Sequence, residues 1–314
     1  ALAVGCTVVM KPAEQTPLSA LRLGELFMEA GFPEGVVNIV PGYGETAGAA
    51  LASHSDVDKV AFTGSTEVGK LIVKAATGNL KKVTLELGGK SPSVVLPDAD
   101  LTASIPGVAS AIFFNHGQCC CAGSRLYVEK SIFDKVVAGV GDQAKQIKLG
   151  PGLDPSTQMG PLVSEEQQRR VLGYLDSGLA EGAEAVVGGK RLGDKGYFVE
   201  PTVLVKTNSN MKVIQEEIFG PVVCAEPFTN VEDVITKAND NIYGLAAAVW
   251  TKDLSAGHRI AAQLRAGTVW INCHNIFDAS LPFGGYKQSG WGREMGHEAL
   301  DLYTEVKSVC AKLA

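Results

Sequence analysis

Val83-Thr84-Leu85-Glu86-Leu87-Gly88-Gly89-Lys90-Ser91-Pro92 divides the chain into two blocks. Its first half is rich in aliphatic and β-branched residues and reads as a strand. The glycine pair closes that strand, and Ser91-Pro92 opens the next element. Upstream, strands are expected at 5–11, 36–40 and 59–62. Helices are expected at 17–30, 46–54 and 67–76, with Thr16 as N-cap and Pro17 as first residue of the first helix. Strand–helix alternation at this spacing implies a parallel sheet with right-handed crossovers. Ligands of such sheets bind beyond the carboxyl ends of the strands. Here those ends carry Lys11, Pro41-Gly42, Thr63-Gly64-Ser65 and Glu86.

Downstream a second α/β block follows. Strands are expected at 94–96, 126–129, 198–205, from 221, at 246–250 and at 268–272. Helices are expected at 101–114, 132–148, 165–179, 231–239 and 255–264, and Pro106 should kink the first of these or delay its start. Residues 284–292 read as a glycine-rich loop, 294–304 as a helix and 306–312 as a last strand suited to pairing with a partner. The boundaries expected are 1–88, 89–288 and a tail at 289–314.

The chain has 314 residues, 46% hydrophobic and 20% charged, enough for a sizeable core and against disorder. Its net charge is −6 and it has no basic block, which argues against a nucleic-acid or anionic-membrane partner. Apolar runs are too short to span a bilayer. Seven cysteines in no framework spacing, and no signal-peptide pattern, fit a reducing cytoplasm. The five histidines show no ligand spacing and no CxxC pair is present, so no metal is expected. Because the chain opens Ala1-Leu2-Ala3 and runs directly into a strand, it reads as a piece of a longer protein; a processed terminus is the alternative.

Three motifs invite chemistry. Gly64-Ser65-Thr66-Glu67-Val68-Gly69-Lys70 begins like a P-loop, but Leu71 stands where a hydroxyl should bind Mg²⁺. It remains a glycine before a helix N-terminus, a place that favours phosphate and that is equally an ordinary helix start. Gly42-Tyr43-Gly44 with Gly48 is not the usual dinucleotide fingerprint. Lys11 and Glu14 could nevertheless bond ribose hydroxyls, with Glu14 favouring NAD over NADP by charge; a solvated charged turn is the plain alternative. Glu86 closes an apolar strand. Burial there would raise its pKa and prepare a general base, unless it is an edge-strand glutamate in water.

Phe113-Phe114-Asn115-His116-Gly117-Gln118-Cys119-Cys120-Cys121-Ala122-Gly123-Ser124-Arg125 places three thiols on a turn. In extended chain Cys119 and Cys121 would face one way and Cys120 the other, leaving one sulfur alone toward a cleft. Free cysteines are also commonly small buried apolar residues, and that reading stays open.

The stretch 85–92 resembles the glutamate signature of the aldehyde dehydrogenase superfamily, and 114–125 resembles its cysteine signature. Phe62-Thr63-Gly64-Ser65, Glu216-Glu217-Ile218-Phe219-Gly220-Pro221 and Pro282-Phe283-Gly284-Gly285 are similar to further motifs of that family. The variant Asn115-His116-Gly117-Gln118 and the region 270–283 resemble bacterial phenylacetaldehyde dehydrogenases. The resemblance implies an incomplete Rossmann-like cofactor domain followed by a catalytic α/β domain with a C-terminal bridging strand. It implies NAD-dependent oxidation of an aldehyde to a carboxylic acid, with Cys120 as nucleophile and Glu86 as base. Lys11, Glu14, Gly44, Gly64, Ser65, Leu87, Glu217 and Phe219 would hold NAD. Phe114, Cys119, Cys121, Phe277 and Phe283 would line the substrate tunnel, and Glu294 would join a proton path. The backbone N–H of Cys120 would supply one oxyanion donor; the family's second donor, an asparagine, has no counterpart here. A homo-oligomeric parent, dimer or tetramer, is implied, with this chain a fragment of little activity. Two other readings are a non-catalytic descendant of the same fold and a thiol redox protein. Retention of Cys120, Glu86 and Glu217 opposes the first, and the strain of bridging neighbouring cysteines opposes the second.

Overall fold

The computed structural model describes residues 1–313, which divide into two compact units. Unit 1 comprises 1–86, 278–283 and the chain from 291 onward; unit 2 comprises 87–277 and 284–290.

Unit 1 begins with β1 (Val8–Met10), α1 (Leu18–Glu29) and β2 (Val37–Ile39). A π-helical turn at Gly44–Gly48 runs into α2 (Ala49–Ser53). Then come β3 (Lys59–Thr63), α3 (Thr66–Ala76) and β4 (Lys82–Glu86). β1 pairs with β2 and β3 with β4, both parallel as the alternation requires. They form separate ladders, not the single sheet expected, because no described strand bridges them. α1 starts one residue later than expected: Pro17 is its N-cap and no side chain caps it, so Thr16 does not play that part. The α1 face stays open, with no buried residue along it.

Unit 2 is built on a seven-stranded sheet. Its elements are β5 (Pro92–Val95), α4 (Leu101–Phe113), β6 (Arg125–Glu129), α5 (Phe133–Gln146), α6 (Glu165–Ala180), β7 (Glu184–Val187), β8 (Thr202–Val205), α7 (Lys212–Gln215), β9 (Val222–Phe228), α8 (Val231–Asn239), β10 (Tyr243–Gly244), β11 (Ala246–Trp250), α9 (Leu254–Ala261), β12 (Thr268–Ile271) and β13 (Tyr286–Lys287). The order is β12-β11-β5-β6-β9-β8-β7. Every pair is parallel except β7–β8, and β7 has no counterpart in the expected strands. Helices cover both faces, which is why the strands read as continuous apolar runs and not as alternation. Val94, Leu126, Val203 and Val223 are wholly buried between them. Pro106 lies inside α4 without delaying its start, because Asp100 caps the helix by accepting the Thr102 N–H at 2.9 Å. The proline forgoes only one bond of the ladder.

Two expectations near the C-terminus are corrected. The helix expected at 294–304 shrinks to α10 (Glu298–Asp301). Its first half is lost because Met295 and Gly296 take positive φ, and because Glu294 exchanges two 2.7 Å backbone hydrogen bonds with Phe283. The bridging strand expected at 306–312 is not a strand: it pairs with nothing described, and Val306 and Val309 lie in water. Alternating apolar residues become a strand only where a neighbour completes the hydrogen-bond ladder.

Candidate active site

The cysteine turn lies between α4 and β6 in unit 2. It is not extended chain. The Ala122 N–H donates to the Cys119 carbonyl at 3.1 Å and closes a tight turn, which removes the strict alternation of side chains. Cys119 and Cys121 do approach each other, sulfur to sulfur at 3.5 Å, and Cys120 interacts electrostatically with both. All three are free thiols; Cys121 is buried, whereas Cys119 and Cys120 are half-buried. Hydrogen bonds from Cys120 and then Cys121 pull the Cys119 thiol far down. Donation to Cys119 pushes Cys120 and Cys121 up, and burial adds to both.

The turn is fastened from two directions. Cys121 Sγ donates to Asn275 Oδ1 at 3.2 Å. Its carbonyl is 2.9 Å from His274 Nε2, and because a carbonyl only accepts, that nitrogen carries the proton. His274 stacks against Trp270, with ring centroids 4.6 Å apart, and Phe277 meets Trp270 edge-on at 5.7 Å. From the other direction comes Gly88-Gly89. A Cβ on Gly89 would lie 2.2 Å from the Cys120 carbonyl oxygen, and one on Gly88 would lie 2.3 Å from a Glu217 carboxylate oxygen. The Gly89 N–H donates to Glu217 Oε1 at 2.9 Å. The glycine pair thus touches both the thiol turn and Glu217, and only glycine allows that approach. Leu87, just before it, is buried and donates its N–H to the Ser289 carbonyl at 2.9 Å.

Burial raises the Glu217 pKa, opposed by the Gly89 N–H and by the charges of Lys90 and Arg170. Helix α6 holds this segment: Arg170 donates to the Glu217 carbonyl at 3.0 Å, and Gln167 to the Phe219 carbonyl at 2.7 Å. Phe219 itself has φ +58, an outlier for a bulky residue that these bonds maintain. Gln167 and Arg170 escaped the sequence reading, although their i, i+3 spacing on the polar face of a helix was the available signal. Lys90 escaped it too. Its Nζ is wholly buried with no hydrogen-bond partner among the described residues, and burial brings its pKa down to about 8. Phe114 is largely exposed.

In unit 1, Glu86 ends β4 as a buried residue, and its Oε2 has no hydrogen-bond partner among the described residues. Burial, reinforced by the negative charge of Glu294 and opposed by Arg293, pushes its pKa up to about 8. Glu294 is exposed, and its backbone pairs with that of Phe283. At the end of β1, Lys11 Nζ donates to the Pro12 carbonyl at 2.6 Å, to the Gly42 carbonyl at 3.1 Å and to Glu14 Oε2 at 3.3 Å. Glu14's own backbone N–H and Lys11 hold its carboxyl below the usual value. Gly44 opens the π-helical turn, and a Cβ there would meet open space. Gly64 precedes Ser65, whose Oγ accepts the Val68 N–H at 3.2 Å and caps α3.

The aldehyde dehydrogenase family model matches residues 1–309. The chain is 54% identical over its whole length to a mitochondrial aldehyde dehydrogenase of Homo sapiens and 53% identical to retinal dehydrogenase 2 of the same organism. An NAD+ complex of an aldehyde dehydrogenase from Bacillus cereus superposes with a TM-score of 0.97 at 56% identity, covering 98% of this chain and 63% of that one. With a parallel-dominated α/β fold and the family model matching nearly all its length, the chain belongs to the aldehyde dehydrogenase family. It spans 61% of each human relative.

Proposed function

We propose that the protein built on this chain oxidises an aldehyde to a carboxylic acid with NAD. Cys120 is the nucleophile. Its proton passes to the sulfur of Cys119, whose thiol its neighbours pull down, acting as the thiolate. The Cys120 thiolate then attacks the aldehyde carbon, forming a thiohemiacetal whose oxygen the Cys120 backbone N–H can stabilise. Loss of hydride from that carbon leaves a thioester on Cys120. Glu86, as the carboxylate, takes a proton from water; the hydroxide equivalent attacks the thioester and releases the acid and the Cys120 thiol. Glu294 passes the Glu86 proton outward.

NAD, when bound, accepts the hydride. The residues present fit it. Lys11 and Glu14 offer a donor and an acceptor for ribose hydroxyls at the carboxyl end of β1, and Glu14 would repel a 2′-phosphate. The first turn of α3 after Gly64-Ser65 offers N–H groups to a phosphate, a Cβ on Gly44 would meet open space, and Glu217 presents a carboxylate to the second ribose, with Phe219 two residues on and Leu87 also assigned to NAD. Phe114, Phe277 and Phe283, with Cys119 and Cys121, line the aldehyde tunnel. A small aliphatic or aromatic aldehyde such as phenylacetaldehyde is the substrate class. Seven free thiols support a reducing, cytoplasmic setting, and a homo-oligomer is the expected assembly. No helix among the described residues is long and apolar enough to cross a membrane.

One observation carries this reading: the same two glycines touch the Cys120 carbonyl and hold the Glu217 carboxylate. The test is acid-quench mass spectrometry after mixing with NAD and phenylacetaldehyde, beside a steady-state aldehyde panel with NAD and NADP. An acyl adduct on Cys120 and a preference for NAD are expected. An adduct on another residue, or an NADP preference, overturns the corresponding assignment.

A further inference from the structure

The residues just before the thiol turn adopt a conformation that L-amino acids avoid. Asn115 (φ 49, ψ 37) and His116 (φ 62, ψ 21) are both left-handed, and Gly117 follows at φ +67. Non-glycine residues populate that region uncommonly, Asn and His more readily than most, and a run of three persists only where its surroundings over-determine it.

Four hydrogen bonds do so. The Gly160 N–H donates to His116 Nε2 at 3.0 Å. The Val163 N–H donates to Gln118 Oε1 at 3.1 Å. Asn115 Nδ2 donates to the Gln118 carbonyl at 3.0 Å, while the Gln118 N–H returns to the Asn115 carbonyl at 2.9 Å. The glycine that follows His116 is equally constrained: a Cβ on Gly117 would fall 2.0 Å from the Gly220 carbonyl oxygen, in the segment that carries Glu217 and Phe219. The left-handed turn therefore adjoins the thiols on one side and the Glu217 segment on the other. Because an N–H points at His116 Nε2, that nitrogen must be an acceptor, and the imidazole is neutral with its proton on Nδ1. Burial, which lowers the His116 pKa, keeps it so.

We propose that His116 is a positioning residue: by accepting the Gly160 N–H it locks the strained left-handed turn that aims the cysteine turn and seats Gly117 against Gly220. The proposal rests on the reading of Cys120 as nucleophile. It goes beyond that reading by naming what holds Cys120 in register with Glu217.

His116→Ala and His116→Gln separate the lock from mere packing. A glutamine amide oxygen can accept the same N–H, whereas alanine leaves it unpaired. Hydrogen exchange of the segments 113–124 and 157–163 and the iodoacetamide alkylation rate of the turn thiols are measured on the whole chain. Alanine should raise exchange in both segments roughly tenfold, the effect of unpairing one buried donor, and change the alkylation rate at least about threefold. Glutamine should restore both. Unchanged exchange at 113–124 in the alanine variant, or a glutamine variant as impaired as alanine, overturns the proposal. If the alanine variant does not fold, the glutamine variant and ¹⁵N NMR of His116 in the unsubstituted protein decide: an Nε2-protonated ring overturns it. Failure of the nucleophile assignment itself appears elsewhere, as an acyl adduct away from Cys120, and is thus distinguished from failure of the lock.

Discussion

In unit 2, Leu204, Val94 and Leu126 sit wholly buried in a sheet covered on both faces, and three apolar clusters surround them. In unit 1, helix α1 buries nothing: Leu18 is 78% exposed and Met28 74%. The same contrast marks their carboxylates. The Glu217 carboxylate of unit 2 accepts the Gly89 N–H while Arg170 holds its backbone carbonyl, whereas Glu86 of unit 1 ends a strand with a carboxylate oxygen that has no hydrogen-bond partner among the described residues. Burial raises both pKa values, but at Glu217 the Gly89 N–H and the charges of Lys90 and Arg170 oppose the shift, whereas at Glu86 the negative charge of Glu294 reinforces it.

The comparison can be broken most decisively at the chemistry. Cys120→Ala should reduce aldehyde oxidation to background. Glu86→Gln should lower steady-state turnover by about 10²–10⁴-fold, the usual worth of a general base, while keeping a pre-steady-state burst of NADH, because only thioester hydrolysis needs that base. Loss of the burst in Glu86→Gln would move its role to the thiol step.

Stability should divide in the same way. Leu204→Ala is expected to cost about 2–5 kcal/mol in urea unfolding, against under about 0.5 kcal/mol for Leu26→Ala on the open face of α1. Equal losses would mean that α1 is covered. Between these lies Gly89→Ala, with its Cβ 2.2 Å from the Cys120 carbonyl; it should destabilise by about 1–3 kcal/mol, whereas Gly44→Ala, facing open space, should be near neutral.

The smallest effect is a pH dependence. The folded Glu86 pKa of about 8 lies above its ordinary value, so between about 4.5 and 8 the folded state binds more protons than the unfolded. Its contribution to stability is complete below that window and declines as pH rises through it, opposite in sign to an ion-paired carboxylate. Thioester hydrolysis should meanwhile quicken through about pH 8 as the carboxylate appears. Substituting Glu294 by Gln removes the neighbouring negative charge and should shift both midpoints toward lower pH.

Much of this was legible in the residues. α8 and β11 fall where periodicity places them, at Val231–Asn239 and Ala246–Trp250, because each is long, apolar on the correct face and bounded by turn residues. The last twenty residues were misread for a physical reason. Helical periodicity at 294–304 yields to the positive φ of Met295 and Gly296 and the Phe283–Glu294 bridge, and alternation at 306–312 lacks a partner ladder. The cysteine alternation argument failed because an i→i+3 hydrogen bond curls that segment into a turn.

By itself the sequence determined the α/β alternation and the candidacy of Cys120 and Glu86, since local pattern and residue type carry that information; Glu217 entered only through the family resemblance. Only the tertiary structure decided that Gly88-Gly89 ties Glu217 to the thiol turn across more than a hundred residues, that Cys119 and Cys121 meet sulfur to sulfur, and that the Gly160 N–H reaches His116 beside a left-handed turn. Those facts depend on which distant groups are brought within hydrogen-bond reach, and sequence periodicity reports the face a residue occupies without naming its partner.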